Sequence, residues 1–114
     1  MIDNEKFNRC REKLIETARS DGYVTYAELA KHIGASSRRL GPYLDAIYDE
    51  AKKKNPLRDL GLVVVYAGTH YGRYNSRGGP TRSVKVDRTD AAQVAEYDRD
   101  LADVRSYWKN QPRA

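Results

Sequence analysis

The stretch Thr25-Tyr26-Ala27-Glu28-Leu29-Ala30-Lys31-His32-Ile33-Gly34, followed directly by Ala35-Ser36-Ser37-Arg38-Arg39-Leu40-Gly41, leaves the chain few ways to fold. Thr25 with Glu28 three residues later is the pattern of a capping box, so a helix starts there. Leu29 and Ile33 fall on one face of that helix, and Gly34 supplies the residue that stops it. Ser36 or Ser37 then caps a third helix, whose apolar positions Leu40, Tyr43, Leu44 and Ile47 point to one side. Pro42 is tolerated only in the first turn or so of a helix, where its missing N–H is not needed. That places the start near 38–41 and both arginines at the tip. Two helices joined by a glycine-stopped turn, the second led by arginines, read as a helix-turn-helix, whose second helix enters a DNA groove.

The flanks extend this motif in a consistent way. A first helix is expected from Asp3 or Asn4 to Ser20, with Phe7, Cys10, Leu14 and Ala18 as its apolar stripe and Asp21-Gly22 as its end. After Asn55-Pro56, the segment from Leu60 to Ala67 reads as a buried strand, because Leu62-Val63-Val64-Val65-Tyr66 is rich in β-branched residues. Ser83-Val84-Lys85-Val86 reads as a short returning strand, which would close a hairpin serving as a wing. Thr89 or Asp90 caps a last helix. Val94, Tyr97, Leu101, Val104 and Trp108 share one face of it, as a core stripe or a dimer or docking seam. The expected architecture is mainly α with a small β-hairpin: a winged helix-turn-helix with an added C-terminal helix. It occupies a single domain over 1–109, with a frayed tail over 110–114.

Charge singles out the same region. The 114 residues carry a net charge of +5. Residues 1–29 hold five Lys/Arg and six Asp/Glu, residues 83–114 hold six of each, and residues 30–82 hold ten against four. The whole basic excess therefore lies in the proposed recognition helix and the segment after it, as a phosphate-binding surface requires. Arg38 and Arg39 are the leading candidates, since a guanidinium pairs with guanine, with phosphate or with an opened base stack. Ser36 and Ser37 add hydroxyl donors. The loop His70-Tyr71-Gly72-Arg73-Tyr74-Asn75-Ser76-Arg77-Gly78-Gly79 mixes residues that neutralise phosphate, stack on bases and let backbones approach. Arg73, Tyr74, Asn75 and Arg77 are its candidates.

Other classes find little support in the residues. There is no GxxxxGK phosphate loop, no GxSxG elbow and no HExxH pair, so no enzymatic activity and no cofactor are expected. His32 and His70 are far apart and the single cysteine, Cys10, sits on an apolar stripe, so neither a metal site nor an internal disulfide is expected. No apolar run is long enough for a bilayer and the N-terminus is not signal-like, which points to a cytoplasmic chain without a membrane partner.

From Thr25 to Gly79 the order of motifs resembles the C-terminal domain of the O6-alkylguanine-DNA alkyltransferases and the alkyltransferase-like proteins. That family shows Thr/Ser-Tyr-x-x-Leu-Ala, then Arg-x-Val-Gly, Asn-Pro, a Val-Val strand and Gly-Asn-Tyr-Ser-Gly-Gly. The corresponding pieces are Thr25-Tyr26-Ala27-Glu28-Leu29-Ala30, Arg38-Arg39-Leu40-Gly41, Asn55-Pro56, Val64-Val65 and residues 72–79. The resemblance covers about half the chain and needs small insertions and deletions. It implies that Tyr26 presses on a backbone phosphate and that Arg38 enters the base stack during nucleotide flipping. The family's reactive Pro-Cys-His-Arg, or Pro-Trp-His-Arg, is replaced by Arg58-Asp59-Leu60-Gly61-Leu62-Val63, so alkyl transfer is not expected. The reading is a non-catalytic binder of duplex DNA, bacterial or phage-encoded, monomeric or homodimeric. The alternatives are a protein-interaction adaptor on the same scaffold, docking a host protein, and a single-stranded RNA binder.

Overall fold

The computed structural model describes residues 3–52, 59–74 and 84–111. Among these the chain is mainly helical. α1 (Asn4–Arg19) is followed by β1 (Val24–Thr25), α2 (Tyr26–Ile33), a 3-10 turn (Ser37–Arg39) and α3 (Leu40–Lys52). A second 3-10 turn (Leu60–Val63) leads into β2 (Val64–Val65), then β3 (Arg73–Tyr74), β4 (Val84–Lys85) and α4 (Ala91–Lys109).

The helix boundaries fall where the capping chemistry puts them. The Asp3 carboxylate accepts from the Lys6 N–H, and that of Asp90 accepts from the Ala92 and Gln93 N–H groups. The reciprocal Thr25–Glu28 box is complete, at 3.1 Å in both directions. Gly34, at φ 79°, closes α2 in the left-handed region. Pro42 lies in the first turn of α3, as its missing donor demands.

The stripe of α1, with Cys10, Leu14 and Ala18 fully buried, meets α2, the second 3-10 turn and α4. Tyr97, Leu101 and Val104 of α4 are buried there, with Val94 and Trp108 packed at the margin. The Tyr97 hydroxyl donates to the Leu62 carbonyl, so the one polar atom of a fully buried ring is satisfied. The α4 stripe is thus interior to this chain. It is not the dimer or docking seam that was one of its two readings.

Two expectations about strands are corrected. Residues 60–63 do not continue the strand toward 67. The Asp59 carboxylate accepts from the Gly61 N–H at 2.9 Å, and the Leu62 N–H reaches the Asp59 carbonyl, winding the segment into the 3-10 turn. An unbroken apolar run carries no period that separates a buried strand from a buried turn. The remaining strand, β2, does not pair with the returning segment. It lies parallel to β1, in register Val24↔Val64 and Thr25↔Val65. The antiparallel hairpin is instead β3 with β4, in register Arg73↔Lys85 and Tyr74↔Val84.

The C-terminal end of α4 locks the turn between α1 and β1. Arg105 donates to the Asp21 and Gly22 carbonyls at 2.9 and 2.7 Å and lies over the Tyr23 ring. Lys109 pairs with the Asp21 carboxylate at 2.6 Å, and this hydrogen bond holds the carboxyl below the usual range. In return Arg19 donates to the Trp108 and Gln111 carbonyls, satisfying acceptors at a helix end. Asn110 caps α4, its N–H donating to the Ser106 and Tyr107 carbonyls.

Candidate nucleic-acid interface

Gly34 reverses the chain after α2, and Ser36 follows with extended backbone at φ −80° and ψ 157°. Ser36 holds the N-cap position of the 3-10 turn, yet its side chain makes no capping hydrogen bond. The expected serine cap on the third helix is thus absent as a side-chain interaction, since a three-residue 3-10 turn stands between Ser36 and α3. Ser37, Arg38 and Arg39 form that turn and are exposed, while the next residue, Leu40, is buried. Burial of Leu40 pulls the end of the turn into the core and leaves the two guanidinium groups in solvent. Among the described residues no carboxylate pairs with either arginine.

The groove beside the turn is lined in part by Lys6, Ser36, Arg38, Arg39, Pro42 and Tyr43. Lys6 comes from the first turn of α1. The Tyr43 hydroxyl accepts the Asp3 N–H at 3.1 Å, tying the start of α1 to α3 and setting Lys6 at this groove.

A second basic cluster lies at the other end of α2. Tyr26, the first residue of α2, is half-buried, and its hydroxyl accepts the Arg73 N–H at 3.3 Å. Its ring is 4.9 Å from that of Tyr66, over which the Lys85 ammonium sits at 4.7 Å from the centroid. Arg73 and Lys85 are direct cross-strand partners, so two like charges face each other on the hairpin. Gly72 makes this packing possible by passing against the Val64 carbonyl. The eight residues of α2 separate the clusters by about 12 Å of helix.

Of the sequence candidates, the structure thus groups Ser36, Ser37, Arg38 and Arg39 at one end of α2 and Tyr26 with Arg73 at the other. The backbone of Tyr74 lies in β3 opposite Val84, while Asn75 and Arg77 fall outside the described residues. Lys6, Tyr66 and Lys85 were not singled out from the sequence. Lys85 had a signal in the alternation Val84-Lys85-Val86, whereas Lys6 had none, because it lies 30 residues away on another helix.

Cys10 and His70 are both engaged in packing. Cys10 is fully buried on α1. His70 stacks on Tyr23 with ring centroids 4.8 Å apart and planes 8° apart. No group of His, Cys, Asp or Glu suited to a metal ion occurs among the described residues. Residues 59–63 lie in the core. No helix of the described residues is long and apolar enough to cross a membrane. Comparison with protein-family models, with curated proteins and with solved structures returns no match.

Proposed function

We propose that this chain is a non-catalytic DNA-binding protein of the winged helix-turn-helix class, docking on duplex DNA through the Ser36–Arg39 turn and the start of α3. The β3–β4 hairpin acts as the wing and sets Arg73 and Lys85 against the neighbouring backbone. The observation that carries the reading is the pair Arg38 and Arg39. Both are exposed, without a described carboxylate partner, at the head of a helix whose next residue is anchored in the core. Guanidinium groups held on a rigid element and left without a counter-ion favour an anionic partner with planar or phosphate acceptors.

Anisotropy titration of a labelled duplex at low salt tests the reading. Wild-type protein binds, and the double variant Arg38→Ala with Arg39→Ala loses most of that affinity. Absence of binding to duplex DNA, or equal binding by the double variant, refutes it. An adaptor on this scaffold would dock through exposed tyrosines rather than the α4 stripe, which packs in the core.

A further inference from the structure

Three cationic side chains from two separate elements line one groove: Lys6 from α1, and Arg38 and Arg39 from the recognition turn. Among the described residues no carboxylate lines it. The acids nearest Lys6 in sequence are engaged elsewhere. Asp3 caps α1 by accepting the Lys6 N–H at 3.0 Å, and Glu5 pairs with Arg9 at 2.6 Å. Ser36 also lines the groove, and its hydroxyl is not spent on the helix cap. An ammonium with three rotatable donors, two guanidinium forks and a hydroxyl are together suited to a tetrahedral oxyanion, which would also relieve the repulsion among the cations.

We propose that this groove is a phosphate site, in which Lys6 joins Ser36, Arg38 and Arg39 in holding one backbone phosphate of bound DNA; the proposal rests on the DNA-binding reading above. α1 then becomes a docking element as well as a core helix, and the DNA backbone passes between its first turn and the recognition turn. A phosphate contact sets position and is blind to sequence. Lys6 accordingly contributes equally on every duplex.

Affinity measured against salt concentration, on two duplexes of unrelated sequence, tests this. The proteins are wild type, Lys6→Gln and a charge-matched control, Arg99→Gln, at an exposed position of α4. Lys6→Gln weakens binding several-fold on both duplexes and makes the slope of log affinity against log salt shallower, by less than about 1 because the two arginines still hold the shared phosphate. Arg99→Gln leaves the slope at the wild-type value. If wild type binds and Lys6→Gln matches Arg99→Gln, the phosphate site is refuted while the DNA reading stands. If wild type binds no duplex, both fall. A parallel titration with inorganic phosphate at constant ionic strength follows the Lys6 and Ser36 amide resonances. Saturable shifts there, without duplex binding, would assign the groove to a free phosphate compound and overturn the DNA assignment.

Discussion

A Cβ built on Gly72 would lie 2.0 Å from the Val64 carbonyl oxygen and 3.2 Å from the Tyr26 hydroxyl. The first of these contacts is with backbone, so a side chain here pushes β2 and the start of β3 apart. Gly72→Ala is expected to lower stability by about 1–3 kcal/mol, the usual cost of overpacking, read as a lower urea midpoint. The Tyr26 hydroxyl is a milder test of the same junction. Tyr26→Phe leaves the ring packed on Tyr66 and removes the acceptor for the Arg73 N–H, a loss of about 0.5–1.5 kcal/mol by the same measurement. Both residues stood out in the sequence, Tyr26 by a resemblance and Gly72 as part of a glycine-rich loop. That they meet each other was not visible there, because they are separated by 46 positions.

At the scale of elements, α2 is the piece most completely specified by local chemistry. Its N-terminal box, left-handed glycine stop and apolar face all involve residues within one or two turns of each other. Thr25→Ala is expected to cost about 1 kcal/mol in chemical denaturation, since it leaves the Glu28 N–H without its cap. The Glu28 carboxyl is held below its ordinary value chiefly by its hydrogen bond from the Thr25 N–H. A carboxyl depressed in the folded state contributes stability above its unfolded pKa and loses that contribution as pH falls through the folded one. Glu28→Gln should therefore flatten the acid side of the stability profile, below about pH 4, relative to wild type. The Asp87 carboxyl, lowered by hydrogen bonds from Thr89, acts in the same sense.

Across the whole molecule, α4 closes the fold by crossing back over α1 and gripping the Asp21-Gly22 turn. Arg105 is the centre of that grip, with two carbonyls and the Tyr23 ring around it. Arg105→Ala should cost about 1.5–3 kcal/mol in denaturant titrations, the range for charge-assisted hydrogen bonds. The basic excess acts at this scale too. If both ends of α2 engage the duplex and about five phosphates are neutralised, log affinity falls with log salt at a slope near −4 to −5. A slope about half as steep would mean that only one end of α2 touches the DNA.

By itself the sequence determined the things that depend on near neighbours. These are the cap at Thr25, the caps of α1 and α4 to within one residue, the stop at Gly34, the apolar stripes, and the position of Arg38 and Arg39 at the head of α3. Such interactions are completed within about four residues, so their pattern is written in consecutive letters. Only the tertiary structure decided which surfaces meet. It paired Val64-Val65 with Val24-Thr25 rather than with the returning segment, turned the α4 stripe inward, joined Tyr26 to Arg73 and brought Lys6 to the arginines. Those choices depend on how buried faces and unpaired backbone groups are satisfied together, and no run of residues encodes that outcome on its own.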